Sequence, residues 1–165
     1  MATRRAGPPP SRSARGSSRL SVGNGASVAL RYVESSALLA ALLEHDTAAR
    51  AALRADGRRV TSALTFAEAS RALVRARVAG RLTPAQEKAA LRALQTFERR
   101  CAVIPVTDAV LARAGRPFPV EPIRTLDAVH LATVAFLDEA LQSVTIITRD
   151  ARVGDNARAL GYAVE

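Results

Sequence analysis

The stretch Thr125-Leu126-Asp127-Ala128-Val129-His130-Leu131-Ala132-Thr133 sets one carboxylate in the first turn of a helix that is otherwise almost all apolar. Hydrophobic residues fill nearly every position from Leu126 up to Asp138 and Glu139. The pattern predicts a helix buried on more than one face, as when it packs against a sheet. Asp127 is the exception. Thr125 has the chemistry of an N-cap, and a carboxylate in the first turn is stabilised by the helix dipole. On this stretch alone, capping and ligation are both open.

On the C-terminal side, Val144-Thr145-Ile146-Ile147-Thr148 is β-branched at every position, the pattern of a central parallel strand. It runs through Arg149-Asp150 into a helix ending at Leu160, a stop at Gly161 and a short strand from Tyr162 to Val164. On the N-terminal side, Val28 to Val33 reads as a strand that turns through Glu34-Ser35-Ser36 into a helix from Ala37 to Leu43. A second helix spans Thr47 to Ala55 and ends at Asp56-Gly57. Arg59 to Leu64 reads as the next strand. Thr65-Phe66-Ala67-Glu68 then has the form of a capping box, predicting a helix to Ala79. Thr83-Pro84-Ala85-Gln86 repeats the device with proline at the first helical position and opens a helix to Arg100. Cys101 to Val106 is a third strand, and Pro105, which cannot donate to a ladder, argues for a sheet edge. Thr107 to Ala114 is a short helix, followed by Gly115 and the Pro-rich run Pro117 to Pro122. This alternation predicts an α/β fold of three layers, α/β/α, around a mostly parallel sheet of four to five strands.

The length of 165 residues, with 48% hydrophobic and 24% charged, suits one domain with a single core. The single cysteine, Cys101, excludes an internal disulfide framework and reads as a small buried hydrophobe in a reducing cytosol. No apolar run approaches the ~20 residues that span a bilayer, so the chain is expected to be cytoplasmic and to have no membrane partner. Arg4-Arg5 resembles the start of an export signal, but Pro, Ser and Arg follow where an apolar region belongs. The net charge of +9 points to a polyanion such as nucleic acid. Part of it resides in Arg4, Arg5, Arg12, Arg15 and Arg19, which have no acid among them, so the remainder is only mildly basic. Residues 1–27 are rich in Arg, Pro and Ser without apolar periodicity and are expected to form a disordered basic tail ahead of a domain over 28–165.

In a parallel α/β sheet, strand C-termini and helix N-termini share one edge, where ligands bind at the point of strand-order reversal. Glu34 ends the first strand, Glu68 follows the second, Asp127 opens its helix and Asp150 follows the strand at Val144. All four are predicted on that edge. Carboxylates packed together repel unless a cation is shared. Oxygen ligands, with no cysteine among them and no HxxxH pair, point to Mg²⁺ or Mn²⁺ rather than Zn²⁺. Such an ion activates water and neutralises charge on a phosphoryl oxygen, which implies phosphodiester hydrolysis. Arg124, Arg149 and Arg152 flank the acids and are candidates for binding substrate phosphates. His130, three positions after Asp127, shares its face; a packing histidine explains it at least as well as proton transfer.

Tyr32-Val33-Glu34-Ser35-Ser36-Ala37-Leu38-Leu39, the helix start at Glu68, Leu126 to Ala132, and Thr148-Arg149-Asp150-Ala151-Arg152-Val153 with Asn156-Ala157 and Gly161 resemble, as an ordered set, the PIN-domain ribonucleases, in particular the VapC-type toxins of toxin-antitoxin pairs. The resemblance covers roughly Ala29 to Val164. It implies strand order 3-2-1-4-5, Mg²⁺-dependent cleavage of RNA by a metal-activated water, a homodimer, and a small antitoxin as partner. It places Glu34, Glu68 and Asp127 at the three principal acidic positions and Asp150 at the more variable fourth. Ser36, Thr148 and Asn156 match auxiliary positions that orient ligands or water. The family usually has Asp where this chain has Glu34, and the extra methylene must move the carboxylate or the ion. The alternative is therefore a catalytically silent PIN-like module that binds RNA or a protein partner.

Overall fold

Five parallel strands, β1 (Leu30–Val33), β2 (Arg58–Ser62), β3 (Ala102–Ile104), β4 (Val144–Ile147) and β5 (Ala163–Val164), hydrogen-bond in the order β3-β2-β1-β4-β5. They belong to a computed structural model that describes residues 29–141 and 144–165, so the tail expected over residues 1–27 lies outside the described residues. The helices are α1 (Ser35–Leu43), α2 (Thr47–Arg54), α3 (Ala63–Val78), α4 (Pro84–Glu98), α5 (Asp108–Ala114), α6 (Thr125–Leu141) and α7 (Ala151–Ala159). No helix among the described residues is long and apolar enough to cross a membrane.

Strand alternation sorts the core into two layers. Tyr32 and Ile146 pack on one face with Leu131, Val134 and Leu137 of α6 and Val153 and Ala157 of α7. Their neighbours Val33 and Ile147 pack on the other with Leu38 of α1, Ala52 of α2, Leu73 of α3 and Leu94 of α4. Both sheet faces are thus covered, which is why β1 is buried along its whole length and β4 nearly so. The near-continuous apolar run of α6 has the same cause: Leu131 and Val134 face the sheet while Val129 and Ala132 pack with Val110 of α5.

Several local expectations need correction. Helix α3 begins at Ala63 with Ser62 as its N-cap, accepting from the Leu64 backbone N–H at 3.3 Å, so Thr65 caps nothing. Thr65 is fully buried and accepts a hydrogen bond from Thr61 Oγ1 at 2.8 Å. Glu68 consequently lies in the second turn of α3 rather than the first. Thr125 is already helical, and the carbonyl of Arg124 accepts from Ala128 N at 2.9 Å. Pro105 follows β3 rather than interrupting it, and β3 is an edge strand. The second predicted box is present: Thr83 and Gln86 cap each other at the start of α4. Cys101 is half-buried beside β3, and burial pushes its thiol up to about 12, so it stays protonated.

The burial of α6 sets an expectation for stability. Leu131→Ala, at a fully buried position, should lower unfolding stability in urea by about 2–5 kcal/mol. Leu126→Ala, at a position 47% exposed in the same helix, should change it by less than about 0.5 kcal/mol. Equal losses would contradict the packing.

Candidate active site at the strand ends

The order β3-β2-β1-β4-β5 puts the reversal of strand order between β1 and β4, and the chain leaves these two strands through Glu34 and Asp150. Glu34 extends the ladder by donating its backbone N–H to the carbonyl of Ile147 at 3.0 Å, then serves as the N-cap of α1. Its carboxylate is buried, 3% exposed, and is tolerable there because donors surround it. Oε1 accepts from Ser35 Oγ at 2.6 Å. Oε2 accepts from the Ser36 N–H at 3.0 Å, from Thr148 Oγ1 at 2.9 Å and from the Ser36 hydroxyl. The longer glutamate arm thus folds back over the start of its own helix.

Ser36 and Thr148 carry the link onward. Ser36 Oγ accepts from the backbone N–H groups of Arg149 at 2.8 Å and Asp150 at 3.0 Å, and Thr148 Oγ1 also lies 3.0 Å from Asp150 N. Asp150 caps α7, its Oδ1 accepting from Arg152 N at 2.8 Å and Val153 N at 3.3 Å. Two hydroxyls therefore lock together the ends of the two central strands and the acids that follow them.

Glu68 and Asp127 arrive from helices packed on opposite faces of the sheet. Glu68 Oε2 lies 2.7 Å from His130 Nε2, and that nitrogen is 3.8 Å from Glu34 Oε1. One ligand atom each from Glu34, Glu68 and His130 fall within 4.8 Å of one another. Asp127 stands one helical turn before His130. Burial raises its pKa, the charges of Asp150 and Glu34 raise it further, and Arg124 and His130 only partly oppose them. Its Oδ2 is buried and has no hydrogen-bond partner. A carboxylate oxygen in that position, among other carboxylates, carries an uncompensated desolvation penalty. The donors present, carboxylates with hydroxyls behind them, fit a hard divalent cation.

The other expected residues divide. Arg124 and Arg152 are exposed beside Asp127 and Asp150 respectively. Arg149 is already engaged: its Nε donates to Asp46 Oδ2 at 2.7 Å, holding that carboxyl below its usual range, and Nη1 donates to the Thr148 carbonyl at 3.1 Å. Asn156 is fully buried with its amide committed to backbone. Oδ1 accepts from Val120 N at 2.9 Å, and Nδ2 donates to the carbonyls of Val120 at 2.8 Å and Arg152 at 3.1 Å. It clamps the Pro-rich loop to α7, so any part it plays in the site runs through that loop.

The place of His130 on the face of Asp127 is as expected, but its contacts with Tyr32 and Glu68 are not foretold by the sequence. His130 is 1% exposed and its Nδ1 lies 2.8 Å from the hydroxyl of Tyr32, itself fully buried on β1. The available signals were spacings, His130 three residues from Asp127 and Tyr32 two from Glu34, and neither shows that the two meet.

The PIN domain family matches residues 31–159. Ribonuclease VapC46 of Mycobacterium tuberculosis is 39% identical over 135 residues, covering 81% of this chain and 94% of its own. Ribonuclease VapC35 of the same species is 34% identical over 111 residues, covering 67% of this chain and 74% of its own. The structure of VapBC-1 from nontypeable Haemophilus influenzae is similar with a TM-score of 0.53 at 15% identity, over 82% of this chain and 96% of that one, a likeness of fold. With family, fold and relatives matched over most of their length in agreement, the chain belongs to the PIN-domain family and, within it, to the VapC ribonucleases.

Proposed function

We propose that this chain is an endoribonuclease that holds Mg²⁺ or Mn²⁺ among Glu34, Glu68, Asp127 and Asp150, and that it is the toxin of a pair completed by a small antitoxin. The observation that carries the reading is the buried, unpartnered Oδ2 of Asp127, set where Asp150 and Glu34 make its negative charge costly. A divalent ion bound there lowers the pKa of a water and neutralises charge on a phosphoryl oxygen. The chain's own residues do the rest. Ser36 and Thr148 fix the Glu34 carboxylate and tie Asp150 to it. Arg124 and Arg152, exposed beside the acids, are placed to meet phosphates, whereas Arg149 is paired with Asp46 and serves substrate less directly. Aromatic residues make up only 4% of the chain, so RNA recognition rests on backbone and shape more than on base stacking. Similarity to ribonucleases over most of their length supports RNA as the substrate, and the resemblance to VapC-type toxins supports the antitoxin.

One observation favours a second reading, a silent PIN-like module binding RNA or protein. Both oxygens of Glu34 are already supplied with donors by Ser35, Ser36 and Thr148, so the longer side chain is settled as a helix cap. Glu34→Asp separates the two. A loss of Mn²⁺-dependent cleavage supports a site built around Glu34, and a large gain from an inactive parent supports the silent module.

Asp127→Asn should bring cleavage of total RNA to background while the protein stays folded; retained cleavage would contradict the assignment. The same variant has a pH signature. Because the folded-state pKa of Asp127 is raised, the metal-free fold binds more protons than the unfolded chain above the ordinary carboxyl value of about 3.9 and loses stability as pH rises through the raised value. In EDTA at pH 7.5, Asp127→Asn should therefore melt higher than the parent, and the gap should close as the pH falls below about 4. A variant that melts lower at pH 7.5 would show that the Asp127 charge is compensated by the protein itself.

A further inference from the structure

We propose that His130, its ring held in place by Tyr32, is a positioning residue that aims the Glu68 carboxylate at the metal, and that it is not itself a ligand. The proposal rests on the metal-dependent reading above. A buried imidazole needs partners for both nitrogens, and His130 has them: Tyr32 Oη at 2.8 Å from Nδ1 and Glu68 Oε2 at 2.7 Å from Nε2. An ionised carboxylate only accepts, so the hydrogen between His130 and Glu68 sits on Nε2. In the neutral ring Nδ1 is then the acceptor, and the Tyr32 hydroxyl donates to it. The phenol and imidazole also meet edge to face, with centroids 6.0 Å apart at 70°, which fixes the ring plane.

The consequence falls on Glu68. It projects from the second turn of α3 on a flexible side chain that is 21% exposed, and His130 reaches it across the sheet from α6. Pinning Oε2 leaves the second oxygen of Glu68 for the ion. With its hydrogen on Nε2, His130 has no lone pair to offer the same ion, and the 3.8 Å separation from Glu34 Oε1 is too long for a second hydrogen bond. The usual relation, in which a carboxylate orients a ligating histidine, is inverted here: the histidine orients a ligating carboxylate.

The test is Mn²⁺ titration calorimetry and Mn²⁺ electron spin-echo spectroscopy on the full chain, with circular dichroism to check folding. His130→Ala should weaken Mn²⁺ binding about 10- to 100-fold. Its cleavage should recover at high Mn²⁺ with the KM for RNA unchanged. His130→Gln carries an amide N–H near the position of Nε2 and should restore most of the affinity. Tyr32→Phe, which frees the ring, should weaken binding several-fold, and it decides the matter if the alanine variant fails to fold. Unchanged affinity in the folded His130→Ala or Tyr32→Phe protein, or equal loss in the Ala and Gln variants, would overturn the proposal. So would a ¹⁴N coupling from a directly bound imidazole in the parent protein. A parent that binds no Mn²⁺ would instead remove the metal-dependent reading itself.

Discussion

Mutual repulsion among carboxylates gathered on one rim, one of them buried and the others partly so, is the constraint on which this site depends. A parallel sheet delivers the chain from β1 and β4 onto one rim, and the helices that cover its two faces add Glu68 and Asp127 to that rim. Two of the acids are made tolerable by the protein: Glu34 by hydroxyls and a helix N–H, Asp150 by the first turn of α7. Glu68 has its imidazole. Asp127 alone keeps a buried oxygen without a partner. Local instability of this kind persists only where the surrounding structure holds it in place, and α6, packed on several sides, does so.

The hydroxyl network has a second consequence. Ser36 and Thr148 join residues more than a hundred positions apart in sequence across the central strand pair, so the geometry of one acid is transmitted to the next through backbone N–H groups rather than flexible side chains. Metal ions that demand near-octahedral oxygen ligation suit such a rigid frame. The length of the Glu34 side chain is taken up at the same point, because the arm returns to cap α1.

Much of the fold was legible because its signals are local. The β-branched run at Val144 identified a central strand, and the apolar run of α6 identified a helix covered on several faces. Thr83 and Gln86 satisfy each other within one turn, so that cap could be read without tertiary information. Thr65 and Glu68 carry the same local pattern, yet Ser62 caps α3 because Thr65 is drawn into the core by Thr61. A sequence cannot rank two hydroxyl residues three positions apart when burial decides between them. The shared rim of the acids followed from topology, whereas their partners did not. Arg149 finds Asp46 103 positions away, Asn156 finds Val120 36 away, and His130 finds Glu68 62 away. Nothing in the spacing of these residues encodes those meetings.

The central claim is that bound divalent metal makes the closeness of these acids tolerable. Crystals grown with Mn²⁺ and measured at the manganese absorption edge test it directly. The account predicts a single strong anomalous peak or a close pair of peaks within coordinating distance of Asp127 Oδ2 and the carboxylates of residues 34, 68 and 150. Well-ordered crystals showing no peak there, with Asp127 turned toward a protein donor, would contradict it.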